Sequence, residues 1–141
     1  MSKNVYLNST EELVKHINED LPNVSLIILD SALEQFQLHS KFNSSHVYLE
    51  VSEETKNLET IEKIWEIMFL SNLNRSDEVV IIGGGVMLDL CSFAASTYKR
   101  GLAFTSVPST LLAMVDASHG GKNGFNNVHG KNQIGTFNLP K

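Results

Sequence analysis

The stretch that most constrains this chain runs from Val79 to Asp89 and reads VVIIGGGVMLD. Val79, Val80, Ile81 and Ile82 are consecutive and β-branched, the pattern of a strand buried on both faces. Gly83, Gly84 and Gly85 then turn the chain, and the residues from Val86 onward read as a helix. A strand that ends in glycines and opens a helix leaves backbone N–H groups unpaired at the positive end of a helix dipole, which suits a phosphate. A full G-x-G-x-x-G fingerprint would need glycines at 83, 85 and 88, and position 88 is Leu88. Taken alone, the turn fits either a phosphate cradle or an ordinary buried strand with a tight exit.

The 141 residues, 42% of them hydrophobic, suffice for one ordinary domain with a proper core and exclude global disorder. A formal net charge of -5 with dispersed basic residues argues against a nucleic-acid surface. Cys91 stands alone, so there is no internal disulfide and no cysteine-based metal cluster; in the helix after the glycines it reads as a small core filler. No apolar run reaches membrane-spanning length and no signal-peptide core opens the chain, so a soluble cytoplasmic domain without membrane contact is expected.

Around the glycine turn the elements alternate. Val5–Leu7 reads as a short strand, and Ser9 with Glu12 as a capping box opening a helix with Leu13, His16 and Ile17 on one face. Ser25–Leu29 reads as a strand ending at Asp30, a carboxylate placed either to accept ribose hydroxyls or to cap the helix near Ala32, with capping favoured. His46–Val51 reads as a strand, followed by a polar loop from Ser52 to Asn57. Ile61, Ile64, Trp65 and Met68 then fall at helical spacing as one buried stripe, which makes Trp65 a core residue first. Beyond the turn, Leu90, Phe93, Ala94 and Thr97 form a helix core face, and Lys99, Arg100 and Gly101 close that helix. Leu102–Val107 reads as a further buried strand, with Ser109-Thr110 capping a short helix over Leu111–Val115. Strand alternating with helix predicts an α/β fold, a Rossmann-like parallel sheet flanked by helices in a single domain spanning 1–141.

From Asp116 onward the composition changes to glycine and asparagine, DASHGGKNGFNNVHGKNQIGTFNLPK. This segment is expected to form no regular core and to carry Asp116, Lys122, Lys131 and Asn132 on loops, where fixed polar groups serve ligands. A flexible tail is the plainer alternative.

The blocks GGGVMLDLCSFAASTYKRG, VPSTLLAMVDASHGGKNGFN and HGKNQIGTF, in that order, closely resemble the N-terminal half of the 3-dehydroquinate synthases. The clear likeness runs from about Glu53 to the end, and a looser one reaches back to Asp30. The resemblance implies a lyase of the shikimate pathway leading to aromatic amino acids. It would use NAD and a divalent metal, zinc or cobalt, to convert the sugar phosphate DAHP to 3-dehydroquinate with loss of phosphate. It places Gly84, Gly85 and Val86 at the NAD pyrophosphate with Asp89 in the adjoining helix turn, and Asp30, Glu53 and Lys56 towards the adenosine end. It further gives Ser109 and Thr110 hydrogen bonds to the cofactor and sets Asp116 near nicotinamide and substrate hydroxyls. Lys122 and Asn132 would hold the substrate's charged groups, with Lys122 also near the cofactor; Lys131 would touch both ligands, and Arg100 would reach the substrate phosphate across a homodimer interface. Arginine suits bidentate phosphate binding, whereas lysine acts beside it as a mobile point charge.

Leu88, Ser109, His119 and Asn123 depart from the family's usual residues; the first predicts a small shift between helix and sheet, and the last two touch substrate specificity. The family's metal ligands belong to a second, helical domain that this chain lacks, so no metal ligand is assigned here, and His119 and His129 read as loop histidines. The chain alone is accordingly expected to bind nucleotide weakly at best and to turn nothing over. Three other readings stay open: another NAD-dependent sugar-phosphate cyclase, a metal-dependent polyol dehydrogenase, and a non-catalytic nucleotide-binding module.

Overall fold

The structure, a computed structural model, describes residues 4–117 and 121–140. Strands β1 (Val24–Asp30), β2 (Ser45–Leu49), β3 (Glu78–Gly83) and β4 (Ala103–Pro108) pair in the order β2-β1-β3-β4, all parallel. The alternation of side chains along β1 and β3 splits the core in two. Leu26, Ile28, Val79 and Ile81 face one layer, and Ile27, Leu29, Val80 and Ile82 the other. The first layer is covered by α2 (Leu58–Leu70), through Ile61, Ile64 and Met68, and by α3 (Gly85–Thr97). The second is covered by α1 (Thr10–Asp20), through Ile17, and by the 3-10 turns Ser31–Phe36 and Leu38–Lys41, through Leu33 and Leu38. The expected α/β architecture with helices on both faces is therefore the one observed.

Local signals act where the sequence places them. The Ser9 hydroxyl accepts from the Glu12 amide at 3.1 Å, while the Glu12 carboxylate reaches back to the Asn8 amide at 2.8 Å. Asn57 caps α2 in the same way, accepting from the Thr60 amide, and Thr110 caps α4 (Leu111–Val115) by accepting from the Ala113 amide.

Three expectations are corrected. Residues 4–7 form no strand, since nothing pairs with their backbone as a ladder would require. Thr97 is exposed instead of facing the core, and its hydroxyl turns back to the Phe93 carbonyl at 2.8 Å. The largest correction concerns the glycine- and asparagine-rich segment, which is an antiparallel hairpin and not a set of loops. Its strands are β5 (Lys122–Asn127) and β6 (Gly130–Phe137). Gly124 lies directly opposite Gly135, and a Cβ on Gly124 would come 2.5 Å from the Ile134 carbonyl oxygen, so the strands close only because both residues lack one. Phe125 is buried and packs edge-on against Phe93 of α3, ring centroids 5.2 Å apart, so the segment also contributes to the core.

Candidate functional site

The strand order reverses between β1 and β3, because β1 is followed by β2 on one side and by β3 on the other. In open parallel sheets the crevice outside such a switch point is where ligands bind. Here the carboxyl ends of the two strands are Asp30 and Gly83, and a Cβ on Gly83 would lie 3.3 Å from the Asp30 Cβ. That same Cβ would come within 2.6 Å of Met87, so glycine lets the first turn of α3 fold tightly over the strand end.

Gly84 is the N-cap of α3 in extended backbone, and no side chain caps this end. A Cβ on Gly85 would meet nothing within 4 Å. The start of α3 is thus an open cradle lined by backbone, with the positive end of the helix dipole facing it. β4 ends beside it. The Ser109 amide donates to the Gly83 carbonyl at 2.8 Å, and the Thr110 side chain stands 3.5 Å from where a Gly84 Cβ would be. A dinucleotide pyrophosphate fits this donor set, which offers amides and a hydroxyl.

Asp30 accepts from the Ala32 amide at 3.0 Å with one carboxylate oxygen, so the capping role predicted for it is present, at the head of a 3-10 turn. Of the basic and acidic groups expected towards the adenosine end, Lys56 is turned inward and Glu53 is exposed. Lys56 is buried, and its ammonium lies 2.6 Å from Asp89 Oδ2 and 2.7 Å from Asn132 Oδ1. Glu53 accepts from the Asn126 amide side chain at 2.9 Å and lies 3.6 Å from the Lys131 ammonium. One ammonium therefore joins residues 33 and 76 positions further along the chain.

The charges follow from these contacts. Burial pushes the Asp89 carboxyl up, the Lys56 ammonium opposes this, and the negative charges of Asp116 and Glu53 add to the rise. Hydrogen bonding from Asn126 holds the Glu53 carboxyl below its ordinary value, helped by the charges of Lys56 and Lys131. Burial pushes the Cys91 thiol up, which leaves it inert beside Met87, as a core filler should be.

The other predicted residues are placed less closely. Asp116 is the exposed C-cap of α4, near enough to Asp89 for its charge to be felt there. Lys122 is exposed at the start of β5, in register with Phe137, and no hydrogen bond or ion pair joins it to the other site residues among those described. Arg100 is exposed at the opposite end of α3 from the glycines, about 20 Å away at the helical rise per residue, so it does not join this site. It lies in a turn where Lys99 and Arg100 both have positive φ, 45° and 72°, with Lys99 bonded to the Leu73 carbonyl. Leu88 is buried in the core, where a fingerprint glycine would leave a void. His129 is exposed in the hairpin turn, and His119 lies outside the described residues. Among the described residues, no three of His, Cys, Asp and Glu come together as a metal-binding group.

Sequence reasoning missed Asn126. Its side chain accepts from the Asn132 amide at 2.9 Å and donates to Glu53, and its own amide donates to the Lys56 carbonyl at 2.8 Å. Nothing in the sequence named its partners, which lie in a distant loop and across the hairpin.

Residues 46–141 match the family described as 3-dehydroquinate synthase N-terminal. The 3-dehydroquinate synthase of Campylobacter curvus is 43% identical over 144 aligned residues, covering 98% of this chain and 40% of its own length. That of Campylobacter concisus is 56% identical over 89 residues, 63% of this chain and 26% of its own length. The chain thus spans about two fifths of the length of the curated relatives it matches. Among solved structures, 2-epi-5-epi-valiolone synthase of Streptomyces hygroscopicus subsp. jinggangensis 5008, with NAD+ and Zn2+ bound, superposes with a TM-score of 0.83 at 24% identity, over 99% of this chain and 43% of that one. A 2-deoxy-scyllo-inosose synthase complexed with carbaglucose-6-phosphate, NAD+ and Co2+ gives 0.78 at 25% identity, over 92% of this chain and 38% of its own. A probable glycerol dehydrogenase of Sinorhizobium meliloti 1021 gives 0.67 at 18% identity, over 94% of this chain and 34% of its own, a likeness of fold alone. By the profile match and by sequence identity along nearly its whole length, the chain belongs to the 3-dehydroquinate synthase family, to the part that forms its N-terminal domain.

Proposed function

We propose that this chain is the NAD-binding part of a 3-dehydroquinate synthase, which converts the seven-carbon sugar phosphate DAHP to 3-dehydroquinate with loss of phosphate. The observation that carries this reading is the uncapped, glycine-lined start of α3 at the switch point of the sheet. The names of the relatives support the reaction, and the solved cyclases with NAD+ and a divalent metal support the cofactors.

In this reading the amides of Gly84, Gly85 and Val86 take the pyrophosphate. The Asp30 carboxylate oxygen that does not cap accepts a ribose hydroxyl, and Ser109 and Thr110 add hydroxyl contacts. Bound there, NAD supplies reversible hydride transfer at a substrate hydroxyl carbon. Asp116, at the end of α4, accepts from substrate hydroxyls beside the cofactor. Lys122, Lys131 and Asn132, carried by the hairpin, hold the carboxylate and phosphate of the substrate, and fixing them in place supplies much of the catalysis. Arg100, far from this site, reaches the phosphate in a partner protomer of a homodimer. A divalent metal, zinc or cobalt, would be held by a second domain of the complete cytoplasmic enzyme, outside this chain, and would polarise the reacting hydroxyl. The chain alone would bind NAD weakly at best and release no phosphate from DAHP.

Calorimetric titration of NAD into the chain tests the reading. Saturable heat that is lost in Asp89→Ala supports it. A folded chain that takes up no NAD overturns the claim that this part binds the cofactor by itself.

A further inference from the structure

We infer that Lys56 is a positioning residue which fastens the β5–β6 hairpin to the start of α3, so that occupancy of the nucleotide cradle is transmitted to the loop that carries Lys131 and Asn132. The coupling rests on the nucleotide reading above, whereas the fastening itself does not.

Lys56 grips both strands of the hairpin. Its carbonyl accepts the Asn126 amide of β5 at 2.8 Å, and its ammonium donates to Asn132 of β6 at 2.7 Å. The same ammonium meets Asp89, one turn into α3 from the glycines, at 2.6 Å. The loop that carries the lysine is itself bonded on both sides of it. The Thr55 amide donates to the Ser52 carbonyl, the Thr60 hydroxyl donates to the Thr55 carbonyl at 2.6 Å, and Asn57 caps α2 immediately afterwards. Its side chain is only 5% exposed, so its bonds to Asp89 and Asn132 form largely out of water, where they are stronger than surface pairs.

The hairpin needs such a fastening. Most of β6 is exposed, and Asn132 has a φ of +52°, a left-handed conformation that asparagine tolerates but does not impose. Asn126 holds the Asn132 amide and Lys56 holds its side chain, so the backbone and side chain of the substrate-loop residue are fixed by two neighbours. Glu53 adds exposed contacts to Asn126 and Lys131. A ligand that takes up Asp89 at the cradle changes what the Lys56 ammonium sees, and the ammonium is also bonded to the hairpin. This links the two halves of the site through one atom.

Residue-resolved amide hydrogen exchange on the chain, with and without saturating NAD, tests the inference. Without ligand, Lys56→Met is expected to speed exchange at Asn126 and Asn132 at least tenfold relative to Leu90 in the α3 core, and Lys56→Arg to restore most of the protection. With NAD, the wild-type hairpin amides slow further. In Lys56→Met, brought to its own saturation with NAD as slowing at Gly85–Leu88 reports, they do not. Asn132→Gly keeps the left-handed backbone but removes the acceptor, so it should reproduce the lost response even if Lys56→Met fails to fold. Unchanged hairpin exchange in both variants overturns the inference, as does an undiminished hairpin response to NAD. If NAD slows no amide in the wild type, the nucleotide reading and the coupling both fail, and the ligand-free comparison still decides whether Lys56 fastens the hairpin.

Discussion

The indole Nε1 of Trp65 donates to the Ala94 carbonyl at 3.1 Å and to the Thr97 hydroxyl at the same distance, tying the middle of α2 to the last turn of α3. The tryptophan is half-buried, so its ring packs on the core while its polar edge stays at the helix–helix seam. Trp65→Phe keeps most of the packing and should cost about 1 kcal/mol, whereas Trp65→Ala should cost about 3 kcal/mol. Urea unfolding of the two variants measures the difference. Equal losses would mean that the ring contributes nothing beyond its hydrogen bonds.

Gly85→Ala should separate stability from binding. Its added methyl meets no atom within 4 Å, and alanine is the better helix former, so the fold should gain up to about 1 kcal/mol. The same methyl stands at the cradle, so NAD affinity should fall. Gly83→Ala should instead lose about 1–3 kcal/mol, because its methyl runs into Met87 at 2.6 Å. Thermal unfolding and NAD titration on both variants check the opposite signs.

Leu88 occupies the fingerprint position where glycine is usual, and it is 1% exposed. Leu88→Gly should cost about 4 kcal/mol, from the cavity and the lost helix propensity together. It should not tighten NAD, since the cradle is formed by the preceding turn. Tighter binding in this variant would show that the leucine holds α3 away from the ligand.

Glu53 gives a pH signature to the hairpin. Its folded value lies below the ordinary 4.5, with the Asn126 hydrogen bond as the largest cause. Its contribution is therefore fully present above 4.5 and is lost as pH falls through the lowered folded value. Asp89 works the other way. Its carboxyl is raised above 3.8 by burial, so its contribution is greatest below that value and declines as pH rises through the raised one. Hairpin amide exchange, corrected for its intrinsic pH dependence, should quicken below 4.5 in the wild type and lose that step in Glu53→Gln.

Arg100 sits at a φ of +72°, which costs a non-glycine residue on the order of 1 kcal/mol. Arg100→Gly should recover about that much stability, and the proposed role across a homodimer interface requires that it also raise the KM for the sugar phosphate in the complete enzyme. Unchanged KM would remove the role across the interface and leave the turn without a functional account.

The parallel sheet and its layers were legible in the chain because the signals are local and periodic. Val79–Ile82 could only be buried on both faces, and Ile61, Ile64 and Met68 could only share a helix face. Ser9, Asn57 and Thr110 act within four residues of themselves, so their positions sufficed to start helices. Composition misled at the hairpin. Glycine and asparagine have low strand propensity, yet Gly124 and Gly135 are there because two backbones approach each other, a fact about a partner eleven residues away.

The sequence by itself thus determined the sheet, the helix faces and the glycine turn, since each depends on neighbours along the chain. Only the tertiary structure decided that Lys56 would meet Asp89 and Asn132, that Asn126 would order Glu53 and Asn132, and that Arg100 would stand a helix length away. The physical reason is that a charge buried from water must find its partners in space, and those partners come from elements that the chain brings together only after it has folded.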